Sequence, residues 1–118
     1  MSSEIIQFFF DFQLNLKFYH WNTTSFARHK ASDSLGEELL KLIDKFVEVY
    51  IGRYGRPKTN SKKMIVEYSL INDKEIVNYL KSKREYLEKL DVKATDLLNI
   101  RDEIVENINQ TFYLFTLE

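Results

Sequence analysis

The sequence predicts an all-α fold built as a bundle of four helices. Three observations carry this. Only three Gly and one Pro occur in 118 residues, which leaves little material for tight turns. Leu, Ile, Lys and Glu dominate a composition that is 44% hydrophobic. Apolar residues also recur at intervals of three and four through long segments. The length fits one domain, residues 1–118, with a single core, and is small enough that self-association would add to its stability.

Ser2 or Ser3 is placed to cap a first helix running to about Asn22. Its aromatic residues Phe8, Phe9, Phe10, Phe12, Phe18, Tyr19 and Trp21 cover too broad an arc for one face, so the helix must be buried on more than one side. Thr23-Thr24-Ser25 offers N-cap hydroxyls, and from there to Ile51 the apolar positions Leu35, Leu39, Leu42, Ile43, Phe46, Val49 and Tyr50 mark a second helix. Gly52-Arg-Tyr-Gly55-Arg-Pro57 ends it, since Gly suits a C-cap and Pro resists continuation. A connection follows to about Ile71, and within it Met64-Ile-Val-Glu-Tyr68 is expected to form a short helical piece. Asn72-Asp-Lys-Glu75 has the form of a capping box, opening a third helix to about Leu90 that buries Ile76, Leu80, Tyr86 or Leu87, and Leu90. Thr95 or Asp96 starts a fourth helix through Leu117, with Leu97, Ile100, Ile104, Ile108, Phe112 and Phe115 on one face.

Charge and composition narrow the function classes. A formal charge of −1 lacks the basic excess of an electrostatically driven nucleic-acid binder. Zero cysteines exclude disulfides, thiolate metal sites and Cys nucleophiles, and fit a reducing, cytoplasmic setting. Met-Ser-Ser-Glu lacks the positive start of a secretory signal, and the run from Ile5 to Trp21 is too polar to span a bilayer.

The chemistry concentrates on the second helix. His29, Asp33, Asp44 and Glu48 fall at roughly 0°, 40°, 60° and 100° around its axis, on one stripe, with His20 just upstream. Asp33 and Asp44 are nevertheless about 16 Å apart along the axis, whereas the ligands of one ion lie within about 2.0–2.6 Å of it. The stripe therefore reads as two half-sites. An antiparallel two-fold pairing of this helix with a second copy would bring the His29/Asp33 end of one subunit to the Asp44/Glu48 end of the other. Imidazole and carboxylates without thiolate suit iron or manganese better than structural zinc. The flanking Leu35, Leu39, Leu42 and Phe46 would set the carboxylates at the edge of a buried surface, where they need compensation. The alternative is a solvated polar face of Asp33, Asp44 and Glu48, with His20 packed in the aromatic cluster.

These residues resemble the Dps mini-ferritins of the ferritin-like superfamily. His20-Trp21-Asn22 is similar to the family's His-Trp-Asn at the end of its first helix. His29, Asp33, Asp44 and Glu48 reproduce the spacing of its second helix, and Tyr54-Gly-Arg-Pro57 and Glu67-Tyr-Ser-Leu-Ile71 resemble the segments that follow. The resemblance spans about Leu14 to Ile71. It implies a ferritin-like four-helix bundle with a short extra segment between helices two and three. It also implies oxidation of Fe(II) by peroxide or dioxygen at a centre shared across a two-fold interface. His20, His29 and Asp33 of one subunit would face Asp44 and Glu48 of the other, with Glu48 bridging and Asp44 acting with it at the reacting metal. Iron is the implied metal, with manganese or zinc able to stand in its place, and the implied assembly is a dimer or a larger oligomer up to a Dps-like cage. The interval from His20 to His29 is three residues shorter than is typical of Dps proteins, and the Lys-rich N-terminal arm used on DNA is absent. Tyr-His-Trp, Ser-Phe-Ala-Arg-His-Lys and Phe-Val-Glu-Val-Tyr are also similar to a small uncharacterised family of large DNA viruses and phages, which implies a host-cell or virion setting.

Arg53, Arg56, Lys58, Lys62 and Lys63 form one basic stretch, read as a solvated loop with phosphate contact to nucleic acid as its functional alternative. Two function classes follow from the sequence. One is an iron-oxidising mini-ferritin; the other is a non-catalytic helical structural protein, such as a viral particle or packaging component, with a vestigial site.

Overall fold

A computed structural model describes residues 3–58 and 69–117. The described residues form four helices, α1 (Ser3–Asn22), α2 (Phe26–Tyr54), α3 (Ile76–Glu88) and α4 (Thr95–Leu114). The all-α class and the four-helix bundle follow as expected. The piece expected over Met64–Tyr68 lies outside the described residues.

Every neighbouring pair of helices is antiparallel, as the contacts at both ends show. His20 meets His29 at one end of the α1–α2 pair and Phe9 meets Phe46 towards the other. Arg53 binds Asp96 at one end of α2–α4 while Arg28 covers Phe115 at the opposite end. Phe8 stacks on Tyr86 and Phe12 meets Tyr79 between α1 and α3, and Arg84 and Arg101 tie α3 to α4 at Asn109 and the Leu87 carbonyl. Going round the ring, the order is α1, α2, α4, α3. It follows that α2 and α3 run in the same direction on opposite corners, so the chain leaves α2 at one end of the bundle and enters α3 at the other. Two helical hairpins are thus joined by one long crossover. Ser69 marks its path, donating its N–H to Asn15 Oδ1 at 3.0 Å on the flank of α1.

The core lies where the periodicity puts it. Leu35, Leu39, Leu42, Ile43 and Phe46 of α2 are buried, as are Leu97, Ile100, Ile104, Ile108 and Phe115 in and after α4. The first helix is covered on more than one side, with Phe8, Phe9, Phe12, Leu16 and Tyr19 buried, while Phe10 and Trp21 remain outside. Leu87 rather than Tyr86 takes the inner position on α3; the Tyr86 ring instead lies flat on Phe8 at 3.8 Å.

Three helix ends differ from expectation. The second helix passes through Gly52 to Tyr54 and is closed by Gly55, whose φ of 89° is the left-handed conformation that a side chain disfavours. Gly52 has helical neighbours and no need of that freedom. The third helix stops at Glu88 rather than Leu90, and the fourth at Leu114 rather than Leu117, because Leu90 and Leu117 close tighter three-residue turns instead of continuing the ladder. Asn72 does act as expected in kind: its Oδ1 accepts from the N–H groups of Lys74 and Glu75, one turn ahead of α3.

Candidate metal centre

The site begins at the turn between α1 and α2. Ser25 caps α2, its Oγ accepting from Arg28 N–H at 3.2 Å. With only residues 23–25 between the helices, His20 and His29 are forced face to face. Their rings stack with centroids 3.8 Å apart and planes 18° from parallel. The contact is reciprocal: His20 Nδ1 lies 2.8 Å from the His29 carbonyl oxygen, and His29 Nδ1 lies 2.8 Å from the His20 carbonyl oxygen. A carbonyl can only accept, so each Nδ1 carries hydrogen and donates it. In the neutral ring this leaves the Nε2 lone pair of each histidine available, the arrangement by which a second hydrogen bond orients a metal-ligating imidazole.

Asp33 lies one turn beyond His29, and its Oδ1 is 3.8 Å from His20 Nε2. That is too long for a hydrogen bond. It matches the spacing of two donors on one ion, since ligands each about 2.1 Å from a metal stand roughly 3–4 Å apart. His20 is buried and Asp33 half-exposed, and both line a cleft of about 340 Å³ between α1 and α2 with Gln13, Lys17, Ser32 and Glu37. Lys17 places its ammonium over the Trp21 ring at 5.9 Å.

The structure thus stacks His20 on His29 and sets the His20 ring 3.8 Å from Asp33, and leaves Asp44 and Glu48 apart, further along α2. Both of these carboxylates are exposed, not set in a buried edge as the sequence suggested. Asp44 lines a second, shallower cleft with Ile6, Phe9, Phe10, Gln13, Leu40, Ile43 and Val47. Among the described residues, no three His, Asp or Glu side chains of the single chain are grouped to hold an ion. Phe10, Leu14 and Trp21 share one stripe of α1, and with Leu40 they leave an apolar band 46–69% exposed beside both clefts.

Sequence reasoning missed two features. Ser32, 1% exposed, donates its hydroxyl to the His29 carbonyl at 3.1 Å and lies 3.3 Å from His20 Nδ1; its only signal was a small polar residue on the buried stripe. Asp73 stands behind the histidines, accepting at Oδ1 from Tyr19 Oη at 2.7 Å and Thr23 Oγ1 at 2.8 Å, while its carbonyl accepts from Arg28 Nη1 at 2.8 Å. Burial alone would raise its carboxyl pKa, but the Tyr19 and Thr23 hydrogen bonds and the Arg28 charge outweigh that and hold it below the ordinary value. Burial, reinforced by Asp73, moves the Tyr19 phenol upward.

Of the basic stretch, Arg53 is occupied by Asp96, its Nε donating to both carboxylate oxygens at 2.9 and 3.0 Å. Arg56 and Lys58 are exposed, and Lys62 and Lys63 lie outside the described residues. No helix among the described residues is long and apolar enough to cross a membrane.

Comparison with known proteins bears on what this arrangement belongs to. The sequence model of a family of unknown function, DUF5856, matches residues 20–115, from the first histidine to the end of α4. The chain belongs to that family. A DUF5856 member therefore carries the stacked histidine pair and the α2 stripe described above. Over 42 residues the chain is 55% identical to an uncharacterized 14.6 kDa protein in the mobD-ri intergenic region of Enterobacteria phage T4. That match covers 36% of this chain and 33% of the phage protein, so the chain spans about a third of the relative's length. No solved structure matches the chain.

Proposed function

We propose that this DUF5856 chain is a ferritin-like, metal-binding subunit that oxidises Fe(II) with peroxide or dioxygen. The supporting observation is the histidine pair, whose Nδ1–H groups are both committed to backbone carbonyls, with one Nε2 at ligand-pair distance from Asp33 in an open cleft. The helix order with a single long crossover is the arrangement of ferritin-like bundles, and the spacing of His29, Asp33, Asp44 and Glu48 is similar to that of Dps proteins. In this reading a second copy packs antiparallel on the apolar band of Phe10, Leu14 and Leu40. His20, His29 and Asp33 then face Asp44 of the partner subunit and Glu48 of the partner subunit. The hard carboxylate oxygens favour the Fe(III) product. Two Fe(II) ions each lose one electron, and peroxide takes both, its O–O bond breaking to give two waters with two protons. The phage relative supports a setting in an infected cell or a virion.

One observation favours a second reading. The reciprocal stack is by itself a sufficient clasp for the α1–α2 turn, so the histidines of a non-catalytic structural protein would look the same. Anaerobic Fe(II) titration followed by peroxide addition separates the two. The first reading expects saturable Fe(II) binding, fast Fe(III) formation, and loss of both oxidation and binding stoichiometry in Asp44→Ala and Glu48→Ala. Oxidation no faster than in protein-free buffer, or unchanged in both folded variants, would leave the structural reading standing.

A further inference from the structure

Tyr19, Thr23 and Arg28 are the residues that bracket the two histidines: Tyr19 precedes His20, Arg28 precedes His29, and Thr23 lies in the turn between them. All three reach the same residue on a distant part of the chain. Asp73, at the end of the crossover, takes two hydroxyl donors on one carboxylate oxygen and the Arg28 guanidinium on its backbone oxygen. The contacts continue towards the rings. Thr23 Oγ1 also accepts from Ser25 N–H at 3.2 Å, Ser25 Oγ from Arg28 N–H at 3.2 Å, and the Ser25 carbonyl from His29 N–H at 2.9 Å. On the α1 side Thr23 N–H returns to the Tyr19 carbonyl at 2.9 Å. The Arg28 guanidinium lies over the Phe115 ring at 4.8 Å, and Tyr19, fully buried, stands 6.3 Å from the same ring. The Asp73 carboxylate therefore ties α1 and the turn to the crossover, and its backbone carbonyl ties the start of α2.

This matters for the histidines because each ring is anchored on the other's backbone. A reciprocal pair of Nδ1–H to carbonyl bonds is a register lock: it holds only while the Tyr19–His20 and Arg28–His29 peptides keep their relative height across the turn. The Asp73 contacts support that height through Tyr19, Thr23 and Arg28, none of which lines the cleft. We propose that Asp73 is the positioning residue of the histidine pair, setting the direction of the His20 and His29 Nε2 atoms without touching a ligand position. The consequence for metal affinity rests on the functional reading above; the consequence for ring geometry does not.

The test compares Asp73→Ala with Asp73→Asn in the full chain, using proton–carbon NMR signals of the two imidazoles without metal, and Co(II) titration as the probe of affinity. Asp73→Ala loses the acceptor, so the ring-current displacement of the His20 and His29 signals collapses and Co(II) affinity falls about tenfold, the usual scale for removing an outer-shell partner. The Asn side chain keeps an oxygen acceptor and restores both. A control, Leu97→Ala at the opposite end of the bundle, lowers stability but leaves ring signals and affinity unchanged. Should Asp73→Ala fail to fold, Thr23→Val and Tyr19→Phe each remove one donor and are expected to shift the ring signals in the same direction. Wild-type ring signals in Asp73→Ala, or equal displacement in Leu97→Ala, would overturn the proposal. If the wild-type chain binds no Co(II), the metal reading fails, and the ring signals still decide the role of Asp73.

Discussion

Truncating the two histidines singly and together gives a quantitative test of the clasp. In His20→Ala the chain loses one neutral hydrogen bond to a carbonyl, about 1 kcal/mol, the ring stack, about 0.5–1.5 kcal/mol, and the packing of a ring that is only 7% exposed, about 1 kcal/mol more. The carbonyl it abandons is not orphaned, because the Ser32 hydroxyl still donates to it at 3.1 Å. The expected cost is roughly 3 kcal/mol, which for a chain of this size lowers Tm by roughly 10 °C. His29 is half-exposed, so His29→Ala forfeits the stack and one hydrogen bond but less packing, about 2 kcal/mol in all. The two hydrogen bonds run from ring to backbone, and each survives removal of the other ring. Only the stack is shared. The coupling energy in a double-mutant cycle should therefore equal the stack alone, about 1 kcal/mol. Urea denaturation of the four proteins under metal-free conditions measures it. A coupling indistinguishable from zero, or a His20→Ala cost below about 1 kcal/mol, would show that the reciprocal contact is not what holds the turn.

Three further outcomes are expected. Asp73 has a carboxyl pKa depressed in the folded protein, so its contribution is fully present above the unfolded value near 3.9 and is lost as pH falls through the lower, folded value; wild-type stability should drop more steeply than that of Asp73→Asn below about pH 4, as denaturation at stepped pH would show. Ser25→Ala removes the side-chain cap of α2 and should cost about 1 kcal/mol in the same assay. Asp44→Asn alters an exposed side chain one turn from Glu48 and relieves a like-charge pair, so stability should hold or rise by a few tenths of a kcal/mol while iron oxidation is lost; a large fall in stability would show that Asp44 has a structural duty.

The helices were legible because burial and periodicity coincide in them. Leu35, Leu39, Leu42 and Phe46, and again Leu97, Ile100, Ile104 and Ile108, repeat at the helical interval and are all buried. The ends were less legible. Gly52 and Gly55 are equally able to stop a helix on paper, and the choice falls on the one whose backbone is driven to positive φ. At the candidate site, the Dps resemblance put His20, His29 and Asp33 on one side of the centre while the shortened interval departed from that family; the short turn stacks His20 on His29, which is a local fact. The sequence did not distinguish the half-buried Asp33 from the exposed Asp44 and Glu48, because all four stripe positions lie within the same arc and only the neighbouring α1 decides which is covered. Asp73 was invisible for a different reason. It lies 54 residues from Tyr19, and in the sequence it is one more polar residue of a helix-opening turn.

The crossover also divides the molecule by order of assembly. The α1–α2 hairpin closes through neighbours as near as nine residues, and α3 meets α4 across the short segment 89–94, so each hairpin can form from local encounters. The Asp73 contacts, spanning 45 to 54 residues, close much longer loops than either hairpin. The histidine pair thus joins a local contact to a long-range one. Native-state hydrogen exchange should accordingly find the amides of Thr23 and His29 opening with the docking of the hairpins as a cooperative unit, rather than fraying with the turn that contains them.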